Sequence, residues 1–274
     1  MNTPQRLLDY EKNYSIEHGL FLDPGASRLP VAQARGGQWW NAASIEMEVG
    51  NLLTSLVCML KPERILETGT NVGYATCKMA MGLDFNRKGS IITMDPFRLD
   101  HLWLNTELAK YISYYEKPST DQDLCENVLC KQPYDFIFLD SEHDYGTITY
   151  EIAKFLPLLQ MHGLMVFHDS YFFDAVGYAC LQLQQQGMVE FINLPTPRLS
   201  IADAEGRLRP DIPCTRSPGL TICKKISSKL PVFDPTVPAK HTFFNLKEKH
   251  KPHPNMTAPP LLVPSTRTAQ KTRK

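Results

Sequence analysis

The chain has no surplus of charge: among its 274 residues, 29 Lys and Arg stand against 29 Asp and Glu. Such a balance sets up no long-range field toward a polyanion or an anionic bilayer, so nucleic acid is not an expected partner. No uninterrupted apolar run approaches the roughly 20 residues that a helical membrane span needs. The seven cysteines form no Cys-x-x-Cys pair and their number is odd, which argues against a disulfide framework. Cys58, Cys77, Cys180 and Cys223 lie in apolar runs and read as small core residues. The segment Met1–Asn13 is polar and charged and has no signal-peptide pattern. A reducing, cytoplasmic setting is therefore expected.

What is present is enough chain for one full α/β domain with extensions. Residues 1–41 read as an N-terminal extension broken at Pro24-Gly25 and Gly36-Gly37 and ending near Trp39-Trp40. From Ala42 to Leu60 apolar residues recur at helical spacing (Ile45, Val49, Leu52, Leu53, Leu56, Val57, Leu60), and Pro62 stops the helix. Strands and helices then alternate. Strands are expected over Arg64–Glu67, Ser90–Asp95, Asp135–Asp140 and Leu164–His168, with a weaker one near Ile112–Tyr115. Helices are expected over Tyr74–Asp84, Leu99–Tyr111, Asp121–Cys130, Tyr150–Gln160 and Phe173–Gln186. Glu190–Leu194 and Gly219–Lys225 suit a closing hairpin around a loop rich in Pro and Arg. Runs such as Phe136-Ile-Phe-Leu139 and Leu164-Met-Val-Phe167 are apolar at every position, as in parallel strands covered by helices on both faces. The domain is placed at 42–228. Residues 229–274 are rich in Pro, Lys, Thr and His, lack periodicity, and read as a disordered basic tail.

The most informative stretch is Ile65-Leu-Glu-Thr-Gly-Thr-Asn-Val-Gly73. It reads as a strand, a tight glycine turn and the start of a helix. Its spacing is E-x-G-x-x-x-G, not the dinucleotide pattern G-x-G-x-x-G. Gly69 and Gly73 let the backbone turn sharply and let a ligand approach it, and the helix N-terminus offers free N–H groups. The carboxylate of Glu67 would repel a pyrophosphate but suits an ammonium or sulfonium. The plainer alternative is a strand–helix turn that simply needs glycine.

Four strands end in polar or acidic residues: Glu67, Asp95, Asp140 and His168-Asp169. In an open parallel sheet these ends share one crevice, where ligands bind. Four carboxylates on one rim repel each other unless cations, ligands or donors lie between them. Asp95 is spaced to accept both hydroxyls of a ribose. Asp140 and Asp169 are candidates for a hard divalent cation such as Mg²⁺, which takes oxygen ligands. His143, three residues past Asp140, is either a general base for a substrate hydroxyl or a surface-loop histidine. His168 is either a metal ligand or a buried strand-end histidine bonded to backbone.

Residues 42–225 resemble the class I S-adenosylmethionine (SAM)-dependent methyltransferases, within them the small bacterial O-methyltransferases related to the catechol, caffeoyl-CoA and macrocin groups. The likeness lies in Ile65–Tyr74, Ile92-Thr-Met-Asp95, Tyr134–Tyr145 and Leu156–Ser170, in order. It implies a Rossmann-like, doubly wound sheet of seven strands with strand 7 antiparallel. It also implies that Glu67, Gly69, Thr70, Asn71 and Gly73 hold the methionine part of SAM and Asp95 the ribose. Ser119, Thr120 and Asp121 would lie near the adenine. Asp140 and Asp169 would be metal carboxylates, with His168 a further candidate ligand. His143 falls where catechol-type members place a basic lysine. Two departures stand out: Ser170 replaces the Asn that follows the second metal Asp, and histidine replaces lysine.

The activity so implied is transfer of a methyl group from SAM to a hydroxylated small molecule, assisted by Mg²⁺, with His143 and Asp140 carrying the chemistry. Trp39, Trp40, Tyr171, Phe172 and Phe173 are either walls of an acceptor pocket or ordinary packing residues. Two other readings stay open. One is a metal-dependent oxygenase or hydrolase using His143, His168 and Asp140 or Asp169 as a two-His, one-carboxylate iron site. The other is a SAM-binding protein without turnover. A homo-oligomer is compatible with all three.

Overall fold

The structure, a computed structural model, describes residues 4–9, 11, 44–171, 173–194, 201–202, 208–209 and 219–234. Trp39, Trp40, Phe172, most of the N-terminal extension and the tail beyond Asp234 lie outside the described residues. Helix α1 (Met47–Leu60) precedes β1 (Arg64–Thr68), and the glycine turn then leads into α2 (Tyr74–Asn86). Next come β2 (Ser90–Met94), β3 (Ile112–Tyr115), α3 (Gln122–Asn127), β4 (Tyr134–Leu139), α4 (Tyr145–Phe155), β5 (Leu159–His168), α5 (Asp174–Gln185) and β6 (Val189–Leu194). A short ribbon of β7 (Ile201–Ala202) and β8 (Leu208–Arg209) precedes β9 (Leu220–Lys225).

Seven strands form one sheet in the order β3-β2-β1-β4-β5-β9-β6. Strands β1 to β5 pair in parallel, and β9 runs antiparallel between β5 and β6. The expected sheet with its single reversed strand is therefore present. Chain order reverses between β1 and β4, which makes the crevice above their C-terminal ends the ligand-binding place of such a sheet.

The apolar strands work on both faces. In β4, Phe136 and Phe138 join α1 and α2 in one core, with Val49, Leu53, Val57 and Ala80. Their neighbours Ile137 and Leu139 join the other core, with Ile148, Ile152, Phe155, Val176 and Leu183 from α4 and α5. All four β4 side chains are essentially inaccessible, and each contributes about 1.5–3 kcal/mol by leaving water. The rim residues thus stand on a scaffold fixed from both sides.

Three expectations need correction. The segment 99–111 is turns followed by a 3-10 helix over Glu107–Tyr111, not an α-helix. Leu102 N–H bonds to Val72 O at 3.0 Å, Asn105 adopts a left-handed φ of 61°, and Thr106 starts the helix afresh. Packing on the glycine turn has overridden helical periodicity here. Helix α4 begins at Tyr145 rather than Tyr150, because Asp144 caps it by accepting from Thr147 N–H at 3.0 Å. The fold also runs past 228: Val232 exchanges hydrogen bonds with the Gln186 side chain, and Phe233 packs against Tyr145.

Candidate active site

The turn after β1 is shaped by close approach. Gly69 has φ +80°, and a Cβ there would lie 1.9 Å from the carbonyl oxygen of Asp140. Gly73 has φ +81°, and its Cβ would lie 1.9 Å from the Trp103 ring. Both glycines are therefore required by neighbouring protein, the first by β4 and the second by an indole. Asn71 N–H donates to Asp95 Oδ2 at 2.9 Å and Phe97 N–H to Oδ1 at 2.8 Å. Asp95 thus braces the turn as well as facing the crevice. Each of its oxygens keeps a second lone pair for a ligand hydroxyl. Thr70 is buried, its hydroxyl 2.6 Å from that of Thr93.

Glu67 is fully buried at the end of β1. Oε2 accepts from the Thr76 hydroxyl at 2.6 Å, whereas Oε1 has no hydrogen-bond partner among the described residues. Burial pushes its carboxyl up to about 8, with the Thr76 hydroxyl only partly offsetting it. Such a group lacks a cation. An ammonium or sulfonium brought into the crevice would supply one.

The other rim carboxylates gather around two imidazoles. Asp140 Oδ1 lies 3.0 Å from His168 Nδ1, and His168 Nε2 lies 2.9 Å from Glu46 Oε2. Both nitrogens of His168 face carboxylates, so neither is available to a metal or to backbone. His168 is thus the buried strand-end histidine of the second reading, bonded to carboxylates rather than to backbone, and the iron alternative is short of one histidine. Burial opposes its charge, but the surrounding carboxylates, Asp140 foremost, hold the imidazolium well above its ordinary value. Burial likewise works against the Asp140 carboxylate, but His168 and His143 keep it below its usual value.

His143 is not a free surface histidine. Its ring stacks on Phe173 at 4.3 Å, and Nε2 lies 3.4 Å from Asp140 Oδ1 and 3.5 Å from Asp169 Oδ2. These distances are long for hydrogen bonds, and the buried Nε2 has no such partner among the described residues. Desolvation lowers its basicity, but the two carboxylates win and its pKa is raised. Asp169 reaches the cluster from a left-handed φ of 56°, a conformation that is uncommon outside glycine and recurs at functional sites. Donor atoms of Asp140, His143 and Asp169 all lie within 4.8 Å of one another. The two acidic oxygens fit a hard divalent cation, and the orphaned nitrogen beside them is left for a proton.

The segment expected near the adenine lies at the start of α3. Asp121 caps α3, accepting from Leu124 N–H at 2.8 Å and from Lys117 Nζ at 3.0 Å. Thr120 beside it is exposed. Of the expected pocket aromatics, Phe173 meets His143, while Tyr171 packs closely over Gly219.

Sequence reasoning missed Glu46 and Glu151. Glu46 shares a helical face with Val49, Gly50 and Leu53, all buried, and a carboxylate on a buried face calls for a partner. Glu151 is inaccessible on α4, accepts from the Ser141 hydroxyl at 2.5 Å, and is pushed up to about 7 by burial. It falls on the buried face of α4 with Ile148, Ile152 and Phe155.

Comparison with known proteins agrees with this fold. Residues 66–170 match a family model described as a methyltransferase domain. Over these residues the chain is similar to methyltransferases. Caffeoyl-CoA O-methyltransferase 2 of Petunia hybrida is 25% identical over 138 residues, 48% of this chain and 55% of that enzyme, so the match spans about half of that relative's length. The O-methyltransferase of Bacillus cereus, solved with S-adenosylhomocysteine (SAH), has a TM-score of 0.54 at 16% identity and covers 80% of this chain and 99% of its own. An O-methyltransferase of Streptomyces achromogenes involved in tomaymycin synthesis, solved with SAM, has a TM-score of 0.53 at 15% identity, covering 83% and 100%. At such identities these two structures speak for the fold. Among the described residues, no helix is long and apolar enough to cross a membrane.

Proposed function

We propose that this chain transfers the methyl group of SAM to an oxygen of a hydroxylated small molecule with the help of a divalent cation. The observation that carries the reading is the rim itself: a buried carboxylate with an unpartnered oxygen at Glu67, and a cluster of Asp140, Asp169 and His143 past the ends of the next two strands, β4 and β5. When bound, SAM supplies an electrophilic methyl, and a cation such as Mg²⁺ makes an acceptor hydroxyl more acidic. Glu67 and the 69–73 turn hold the amino-acid end of the cofactor, and Asp95 the ribose. Asp140 and Asp169 hold the cation. His143 Nε2, 3.4 Å from Asp140 and 3.5 Å from Asp169, takes the hydroxyl proton. Phe173 backs the His143 ring and keeps water from that side.

The reading is supported by the match to O-methyltransferases and by the donor set. The iron alternative loses its second histidine, because His168 is committed to Asp140 and Glu46. The test is incubation with SAM carrying a labelled methyl and a panel of catechols, sugars and carboxylic acids, with Mg²⁺ or with EDTA. Label should pass to a hydroxylated acceptor with Mg²⁺ and not with EDTA. SAH formation with no metal requirement would remove the cation from the reading.

A further inference from the structure

One arrangement at the rim is not used by the proposed reaction. Glu46, His168 and Asp140 form a continuous line from the start of α1 to the donor cluster. Glu46 and His168 are 3% and 2% exposed. A carboxylate only accepts, so both ring nitrogens donate. If this were only a pairing of α1 with β5, the line would end at His168. It continues to Asp140, which also faces His143 and sits within the group of three donors.

The geometry explains why Asp140 needs such support. It follows the last residue of β4, and its neighbour His143 stands 3.4 Å from it, long for a hydrogen bond. With no other hold, the carboxylate would turn about its side-chain bonds. His168 fixes one oxygen, and Glu46 fixes the ring of His168. Glu46 is in turn held by its backbone, whose carbonyl accepts Gly50 N–H at 2.9 Å in the first turn of α1.

We propose that Glu46 is a positioning residue for the cation site: acting through His168, it fixes the carboxylate of Asp140 so that, with Asp169, it is presented to a divalent cation. This rests on the cation reading made under Proposed function. Groups that orient metal-binding carboxylates from outside typically change metal affinity by about 10–100-fold.

The test uses the full chain with Mn²⁺ as probe, read by electron paramagnetic resonance, and SAH affinity and thermal melting measured on the same samples. Glu46→Asp keeps the charge but withdraws it from His168, and should weaken Mn²⁺ binding about tenfold or more. Glu46→Gln keeps an oxygen in reach and should stay within about threefold of the wild type. SAH affinity should hold within about twofold in both, because Glu67 and Asp95 are untouched. In a His168→Gln background, Glu46→Asp should have no further effect, since its route to Asp140 is gone. Mn²⁺ affinity unchanged in Glu46→Asp would overturn the proposal, as would an equal loss in both backgrounds. A parallel fall of SAH affinity and melting temperature in both Glu46 variants would show a merely structural residue. No Mn²⁺ binding to the wild type would also overturn it, while SAH binding in the same samples would leave the methyltransferase reading standing.

Discussion

Glu67 should cost the free protein stability, and replacing it by glutamine should return that stability. Glutamine keeps the size and the contact with the Thr76 hydroxyl but cannot ionise. The carboxyl lies at its usual 4.5 when unfolded and at about 8 when folded, because it is fully buried. The folded state therefore holds a proton that the unfolded state has released. Stability from this group is complete below pH 4.5 and is lost as pH rises through 8. At about 1.4 kcal/mol per pH unit, the loss reaches about 3 kcal/mol by pH 7 and about 4 to 5 kcal/mol by pH 8. Glu151 titrates in the same region but is present in both proteins, so it drops out of the difference. Denaturant unfolding of wild type and Glu67→Gln from pH 5 to 8.5 should give curves that nearly meet at pH 5. By pH 7 the variant should melt roughly 6–12 °C higher, the scale for a domain of this size. SAM should then raise the wild type and leave the variant unmoved. Parallel pH profiles would refute the reasoning, since they would mean that Glu67 is ionised and already compensated without ligand.

Gly69→Ala should cost at least about 2 kcal/mol, from positive φ and the Asp140 carbonyl, and SAH affinity should fall with it; an unchanged melting temperature would contradict the close approach of β4. Truncation after Asp234 should leave the melting temperature within a few degrees, as the composition of the rest implies. Truncation after Ser228 should cost about 1–2 kcal/mol of stability, because the partly buried Phe233 and the Val232–Gln186 bonds go. Asp169→Ala should lose turnover and Mn²⁺ binding while keeping most SAH affinity, measured by calorimetry. His143→Ala should slow methyl transfer about 10²–10⁴-fold with partial recovery at high pH. The wild-type rate should fall as pH drops and His143 takes up a proton; a profile flat to pH 5.5 would remove His143 as the base.

The sheet was legible because buried parallel strands leave runs such as Phe136–Leu139 that no surface element tolerates. The four rim carboxylates were legible for a related reason: each stands at the end of an apolar strand, Asp169 one residue further on, and strand ends share an edge. What local pattern did not carry were partners brought in from afar. Glu46 lies 122 positions from His168, and nothing near His168 in sequence says that both nitrogens meet carboxylates. The glycines were found, but their reason was not: Gly73 is needed because Trp103 packs on it, and Trp103 sits in a segment whose spacing looked helical. Asp121, expected near the adenine, also caps a helix, a role a short polar side chain fills wherever a helix begins. The start of α4 was missed because the Asp144 cap lies inside a stretch read for its histidine.

The central claim is that the crevice above β1, β2 and β4 is built for SAM. Calorimetric titration of the full chain with SAH, with NAD as the control, tests it most directly. The account predicts one SAH per chain, no NAD binding, and loss of SAH binding in Glu67→Gln and Asp95→Ala. A folded protein that takes up no SAH, or that binds NAD in its place, would contradict it.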